Sequence, residues 1–174
     1  MEWEFDFLYA LQGIRTPFLD KIMALLSTLG NAGLLWIVIA VVLCISKKYR
    51  HGGMQMLSAE LLGFIVGNLI IKNLVNRLRP FQIDETVSLI VMIPFDSSFP
   101  SGHTLNGITA AVTLMFIDKR MGIPALVLAI LIAFSRMYNF MHFPTDVLAG
   151  ALLGVVSAVF MNYVFEHKIP EKQY

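Results

Sequence analysis

The chain has 174 residues, of which 57% are hydrophobic and 14% charged, and its mean hydropathy is +0.71. In soluble domains roughly a quarter of all residues are charged, so this composition excludes an ordinary soluble protein. It indicates an integral membrane protein with one domain, residues 1–174. The formal net charge of +1 is not gathered into a basic patch, which argues against a nucleic-acid partner.

The amino-terminal residues 2–12 are acidic and aromatic and lack the basic stretch of a secretory signal, so no cleavage is expected. We expect them to lie at the membrane interface, held there by Trp3, Phe5, Phe7 and Tyr9. The next segment, residues 16–30, is apolar but contains Asp20 and Lys21. It is therefore predicted either as a short helix or as an interfacial segment.

Five longer apolar runs follow and are predicted as membrane-spanning segments. They cover residues 31–46, 54–71, 104–117, 121–138 and 144–165. Several are shorter than the ~20 residues that cross a bilayer, so their polar ends must extend them. The single cysteine, Cys44, lies in the first run, which rules out an internal disulfide and a cysteine-pair metal site.

The basic residues of the connecting segments predict which side faces the cytoplasm. Alternating the spans collects seven of them on one side: Lys47, Lys48, Arg50, Lys119, Arg120, Lys168 and Lys172. The other side holds six: Arg15, Lys21, Lys72, Arg77, Arg79 and Arg136. Lys72, Arg79 and Arg136 have a chemical explanation of their own, and setting them aside leaves seven basic residues against three. The remaining imbalance places the side with seven in the cytoplasm.

Three polar clusters fall on the outer side. The stretch KNLVNRLRP supplies Lys72, Arg77 and Arg79, SSFPSGHT supplies Ser101, Gly102 and His103, and SRMYNFMHFPTD supplies Arg136, His142 and Asp146. Taken singly, each has a plain interpretation: snorkelling cations, a histidine at a helix end, and a hydrogen-bonded pair at a helix terminus. Ionisable residues at membrane depth are costly and usually functional, so their occurrence on one side favours a shared site.

Phosphoryl transfer is the chemistry that these residue types support. Arginine and lysine neutralise a phosphate, and a helix that begins after Gly102 offers free backbone N–H groups to an anion. Asp146 follows His142 by four residues and is expected to reach one imidazole nitrogen, which leaves the other free to attack phosphorus. His103 is expected to protonate the leaving oxygen. The outer side has no cluster of carboxylates for magnesium, so no metal and no cofactor are expected.

The three clusters together resemble the type 2 phosphatidic acid phosphatases, which share their site with vanadium haloperoxidases and some bacterial acid phosphatases. The family pattern K-x6-R-P, P-S-G-H and S-R-x5-H-x3-D is matched by Lys72 to Pro80, Pro100 to His103, and Ser135 to Asp146. The resemblance implies an all-α membrane bundle of about six helices, five clear spans and a short N-terminal helix, with its site at the outer boundary.

The resemblance also implies a role for each matched residue. His142 is the nucleophile that forms a phosphohistidine, Asp146 orients it, and His103 is the general acid and then the base. The phosphoryl oxygens are bound by Lys72, Arg79, Arg136, the Ser101 hydroxyl and the Gly102 amide. Arg77 lies outside the pattern and is expected to be either an auxiliary phosphate contact or a solvated loop charge.

The expected activity is hydrolysis of a membrane lipid phosphate at the extracytoplasmic face of a cell membrane, with membrane lipids as the other partners. Undecaprenyl pyrophosphate is the first substrate expected, followed by phosphatidylglycerol phosphate and phosphatidic acid. Two alternatives stay open: a lipid phosphotransferase, and a non-catalytic binder or transporter of lipid phosphates. The loop of residues 73–99 is expected either to lie over the site and contact lipid or to serve as an ordinary connection.

Overall fold

The computed structural model describes residues 2–168, and most of them are helical. The helices are α1 (Glu2–Gly13), α2 (Pro17–Leu29), α3 (Leu34–Ile45), α4 (Arg50–Gly63), α5 (Lys72–Val75), α6 (Pro80–Ile83), α7 (Gly102–Ile117), α8 (Lys119–Tyr138) and α9 (Pro144–Lys168). A 3₁₀ turn, Asn31–Gly33, joins α2 to α3, and a π-helical segment, Phe64–Ile71, joins α4 to α5. The tail after residue 168, with the predicted cytoplasmic Lys172, lies outside the described residues. The all-α fold predicted from the sequence is confirmed.

Three helical segments of the described chain are long and apolar enough to cross a membrane: Arg50–Ile83, Lys119–Tyr138 and Pro144–Lys168. The pair Pro17–Leu29 and Asn31–Ile45 meets the same requirement only when taken together, with a bend of 43° between its halves. Helix α7 is apolar but has 16 residues. The sequence predicted α2 and α3 as separate elements, and the bend at the 3₁₀ turn separates them.

Small residues bring α7 close to its two neighbours, α8 and α9. A Cβ on Gly107 would stand 3.0 Å from the Cβ of Ala129 in α8. A Cβ on Gly154 of α9 would stand 2.8 Å from the carbonyl oxygen of Leu105. Helices in a membrane associate through such close packing, because lipid provides little hydrophobic drive between them. The three helices thus form the rigid centre of the bundle.

Both ends of α2 lie at the same end of the bundle. Near its start, Asp20 accepts a hydrogen bond from the Tyr138 hydroxyl at 2.8 Å. Near its end, the carbonyl oxygen of Ser27 lies 3.2 Å from Nε2 of His103. Tyr138 closes α8 and His103 opens α7, so α2 crosses this end of the bundle and covers it.

Helix α1 covers the turn between α8 and α9. Phe5 packs edge-on against Phe143, with ring centroids 5.2 Å apart, and also contacts Phe140. Trp3 is 56% exposed, as expected of an interfacial anchor. The predicted anchor Phe5 instead faces the protein, because the helical period turns it toward the aromatic side chains of the turn.

Candidate active site

The three polar clusters meet at one cavity of about 480 Å³ at the end of the bundle that α2 covers. Six of the predicted site residues line it: Lys72, Arg79, Gly102, His103, Arg136 and His142. Lys72 and Arg136, which are 64 residues apart in sequence, thus line the same cavity. The cavity places three cations and two imidazoles together, which is a binding environment for an anion.

The first cluster reaches the cavity through an irregular stretch of helix. The π-helical segment Phe64–Ile71 precedes Lys72, and its Asn68 and Leu69 also line the cavity. Helix α5 then stops at Asn76, which adopts a left-handed conformation (φ 44°) and donates its N–H to the Lys72 carbonyl at 3.1 Å. Asparagine tolerates this conformation better than most residues. The turn brings Arg79 back beside Lys72.

His142 lies in the turn between α8 and α9, is almost fully buried, and faces Arg79. Its Nε2 is 3.1 Å from Nη1 of Arg79. A guanidinium only donates, so Nε2 accepts and a neutral ring carries its proton on Nδ1. Burial and then the positive charges of Arg79, Arg136 and Lys72 hold the pKa of His142 well below its ordinary value. The ring is therefore neutral and its Nε2 lone pair faces the cavity cations.

Asp146 lies behind His142 rather than in the cavity. Its Oδ2 is 3.7 Å from Nδ1 of His142, which is longer than a hydrogen bond. Within the described chain, Nδ1 has no hydrogen-bond partner. The same Oδ2 accepts from the Ser98 hydroxyl at 2.5 Å and from the Phe143 N–H at 2.8 Å. The predicted His142–Asp146 pair is thus adjacent, with the carboxylate bonded elsewhere.

His103 lies in the first turn of α7 and also lines the cavity. Its Nε2 lies 3.2 Å from the Ser27 carbonyl oxygen and 3.1 Å from Oδ1 of Asn31. A carbonyl only accepts, so Nε2 carries a proton. The end of α2 and the following 3₁₀ turn therefore orient this ring.

Arg136 is 4% exposed and reaches the cavity from the last turn of α8. Its Nη1 donates to the Ser27 hydroxyl. Its Nε has no hydrogen-bond partner within residues 2–168. A buried guanidinium with an unused donor is ready to bind an anionic ligand.

Ser101, a predicted phosphate contact, does not line the cavity. It is fully buried, and its hydroxyl accepts from the Thr104 hydroxyl at 3.0 Å. Its backbone N–H donates to the Asp146 carbonyl at 3.0 Å. Ser101 thus ties the start of α7 to α9, while the next residue, Gly102, faces the cavity.

Arg77 is neither a cavity residue nor a solvated charge, in contrast to both alternatives predicted for it. Its Nη1 donates to Oδ1 of Asp146 at 2.7 Å, and its Nη2 donates to Oε2 of Glu4 at 2.7 Å. Its guanidinium carbon lies 4.1 Å from the centroid of the Phe143 ring. Arg77 therefore joins α1 to the carboxylate behind His142.

Among the described residues, Asp96 is the one acidic residue that lines the cavity. Its carboxylate pairs with Lys72 at 2.5 Å and with Arg79 at 2.6 Å. Burial raises the pKa of Asp96, but the two cations outweigh it and lower the pKa to about 2. The sequence did not single out Asp96, although its place four residues before the P-S-G-H motif was a usable signal. Residues 94–97 of the loop line the cavity, so this part of the loop lies over the site, as one of the two expectations held. The expected contact of the loop with lipid stays a prediction.

Among the described residues, no group of histidine, cysteine and acidic side chains is arranged to hold a metal ion. Lys72, Arg79 and Arg136 instead supply the positive charge of the cavity. Their donors are directed at the same space as the two imidazoles. The arrangement can bind a phosphoryl group and place it beside a neutral imidazole.

Comparison with known families and proteins supports this chemistry. The family model described as the PAP2 superfamily matches residues 52–170. An undecaprenyl-diphosphatase of Sulfolobus acidocaldarius is 36% identical over 137 residues, which are 78% of this chain and 66% of the relative. A bacitracin transport permease protein, BcrC of Bacillus licheniformis, is 38% identical over 59% of this chain and 48% of its own. The chain thus spans less than two thirds of either relative.

A solved structure extends the similarity to the whole fold. The crystal structure of a transmembrane PAP2 type phosphatidylglycerolphosphate phosphatase from Bacillus subtilis superposes with a TM-score of 0.80 and 26% identity. The match covers 99% of this chain and 88% of that one. Together with the apolar helices, this similarity identifies the chain as a multi-pass membrane protein.

Proposed function

The chain belongs to the PAP2 superfamily, and from this premise we propose that it is a membrane phosphatase acting on a phosphomonoester or diphosphate lipid. The observation that carries the proposal is that, among residues 2–168, three cations and two histidines converge on one cavity with a single carboxylate. Such a cavity favours a multiply charged anion. Its lining also includes the exposed apolar side chains of Phe64 and Leu69, beside which a lipid tail can leave.

In the first step, Nε2 of His142 attacks phosphorus in line with the leaving oxygen. A P–N bond forms, the bond from phosphorus to the leaving oxygen breaks, and His103 gives that oxygen a proton. Because Nε2 of His103 already donates to Ser27, its Nδ1 carries the transferred proton. The ring therefore enters this step as the imidazolium, having taken up one proton together with the anionic substrate. Arg79 releases Nε2 of His142 when it turns to the phosphoryl oxygens, where the cavity cations stabilise the developing charge.

In the second step, water releases the phosphate. His103 takes a proton from the water, the oxygen attacks phosphorus, and the P–N bond breaks to regenerate neutral His142. Asp146 stabilises the ring through its position behind Nδ1 and orients it once a short side-chain rotation closes the 3.7 Å gap. A diphosphate lipid yields inorganic phosphate and a lipid monophosphate, whereas a monoester yields the lipid alcohol.

The proposed substrate order starts with polyprenyl diphosphates such as undecaprenyl pyrophosphate, followed by phosphatidylglycerol phosphate and phosphatidic acid. The name of the Sulfolobus relative supports the first, and the name of the Bacillus subtilis structure supports the second. Purified protein in detergent, assayed side by side with these lipids in EDTA, should release phosphate and be inhibited by vanadate. Loss of activity in EDTA would contradict a mechanism based on side chains alone.

The nucleophile is tested by His142→Ala, which should abolish turnover because no P–N bond can form. Binding of the lipid should persist, since the cations remain. The control is His167→Ala, an exposed histidine in the last turn of α9, which should retain the wild-type rate. Phosphate release by His142→Ala at a rate near the wild type would remove the assignment.

A binder or transporter of lipid phosphates is the second candidate, because the Bacillus licheniformis relative is named as a transport permease. Binding needs the cations alone and does not need the histidines. Lipid-phosphate binding without phosphate release, in wild-type protein and over prolonged incubation, would favour this candidate. Capture of the phosphoryl group by an added alcohol instead of water would indicate a phosphotransferase.

A further inference from the structure

The Asp96 carboxylate lies where an anionic ligand would bind. It accepts from Nζ of Lys72 at 2.5 Å and from Nη2 of Arg79 at 2.6 Å. Two of the three cations assigned above to the phosphoryl group are therefore paired with a carboxylate of the chain itself. A phosphate that reaches these cations has to replace the carboxylate.

Contacts of the segment around Asp96 hold its backbone in place independently of the carboxylate. Nε of Arg79 donates to the Asp96 carbonyl at 2.9 Å, and the Ser97 hydroxyl donates to the Lys72 carbonyl at 2.8 Å. The side chain of Asp96 is 52% exposed, and the preceding Phe95 is fully exposed. The carboxylate can therefore rotate into solvent without loss of the backbone contacts.

We propose that Asp96 is a specificity-determining residue that occupies the phosphate position in the substrate-free protein and competes with every ligand for Lys72 and Arg79. The inference rests on the proposed function, since it takes these cations as the phosphate site. A ligand displaces Asp96 only if it attracts Lys72 and Arg79 more strongly than the carboxylate does.

This competition separates two classes of lipid. A terminal phosphate carries about two negative charges near neutral pH, one more than the Asp96 carboxylate. A phosphodiester, the headgroup linkage of ordinary phospholipids, carries only one and gains no advantage over the carboxylate. Asp96 thus keeps abundant phosphodiester lipids out of the cavity and admits terminal phosphates.

The test is the binding of inorganic phosphate to purified wild-type protein and Asp96→Asn, measured by calorimetry. The substitution removes the competing charge and keeps the size of the side chain. We expect Asp96→Asn to bind phosphate about tenfold more tightly, the scale of two partly exposed ion pairs. Glu85→Gln removes an exposed carboxylate from the same loop and should leave the affinity unchanged. Equal or weaker binding by Asp96→Asn overturns the inference.

Inhibition by phosphatidylglycerol, a singly charged phosphodiester, tests the specificity itself. Turnover by Asp96→Asn should be inhibited at lower phosphatidylglycerol concentrations than turnover by the wild type, and Glu85→Gln should behave as the wild type. Equal inhibition of all three proteins overturns the role in specificity.

Thermal unfolding keeps the inference testable if Asp96→Asn is less stable. Unpaired cations should lower its melting temperature, and added phosphate should raise it more than in the wild type. A loss of stability that phosphate does not reverse would assign Asp96 a structural role only. If the wild type turns over lipid phosphate but Asp96→Asn binds phosphate no more tightly, this inference alone is contradicted. If the wild type shows neither turnover nor phosphate binding, the proposed function is contradicted as well.

Discussion

The residues behind His142 form an ion network that is separate from the cavity cations. Arg77 connects Asp146, which is fully buried, with Glu4, which is 4% exposed. The Thr145 hydroxyl donates to the other oxygen of Glu4 at 2.6 Å. An unpaired charge at this depth is strongly unfavourable, so each carboxylate depends on Arg77. In the proposed mechanism, Arg77 is therefore a positioning residue that acts through Asp146 and does not contact the substrate.

Arg77→Gln should therefore lower both stability and turnover. Loss of the shared cation leaves two buried carboxylates, and we expect unfolding to become easier by about 3 kcal/mol. The value of kcat should fall about tenfold while KM changes little, because the cavity cations remain. Chemical unfolding and steady-state kinetics measure the two effects.

Arg77→Lys and Lys21→Gln serve as controls for this prediction. The lysine retains the charge and should restore part of the kcat, whereas Lys21 is an exposed cation whose loss should change neither quantity. A rise in KM for Arg77→Gln that matches that of Lys72→Gln would place Arg77 in contact with substrate instead.

At the level of the elements, the start of α7 is positioned by α9. A Cβ on Gly150 would stand 2.5 Å from the Ser101 carbonyl oxygen, and the Ser101 N–H bonds to the Asp146 carbonyl. The two cavity residues Gly102 and His103 follow directly. The close approach at Gly150 therefore determines where the free N–H groups of α7 and the His103 ring lie relative to His142.

Gly150→Ala should displace the start of α7, since the added methyl group meets backbone rather than a flexible side chain. Overpacking of this kind costs about 1–3 kcal/mol, and we expect lower thermal stability together with a reduced kcat. Leu152→Ala changes a residue that is 66% exposed on the same helix and should leave kcat near the wild type. Unaltered kcat and melting temperature in Gly150→Ala would contradict the proposed coupling.

The sequence predicted the cavity residues and the long helices because both rest on strong local signals. Lys72, Arg79, Arg136 and the two histidines are rare residue types beside apolar runs, where chance rarely places them. The position of α2 was not predictable, because it depends on the contact of Asp20 with Tyr138, which lies 118 residues away. The role of Arg77 was missed for the same reason, since its partner Glu4 is 73 residues distant.

The π-helical segment also could not be predicted from the sequence pattern. Its residues Phe64–Ile71 are apolar in the way that an α-helical span is, so the period gives no sign of the wider turn. Such segments occur often at functional sites. Here the segment contributes Asn68 and Leu69 to the cavity and directly precedes Lys72, which links an irregular element to the site.

In the molecule as a whole, the site occupies one end of the bundle and the basic connections occupy the other. The cavity is lined by residues at the start of α7 and the end of α8, by His142 in the turn before α9, and by residues 94–97 of the loop. Lys47, Lys48 and Arg50 precede or open α4, at the far end of the segment that carries Lys72. Since basic connections remain in the cytoplasm, the cavity should face outward, where Met92 and Phe95 of the loop are exposed.

A membrane-impermeant thiol reagent tests this orientation. With Cys44, the only cysteine, replaced by serine, Met92→Cys should react in intact cells, because residue 92 is 90% exposed beside the cavity. Lys47→Cys, exposed at the opposite end, should react only after the cells are permeabilised. The reversed pattern would place the cavity in the cytoplasm and move the substrate to the inner leaflet. Retained phosphatase activity in both variants ensures that the labelled proteins are folded.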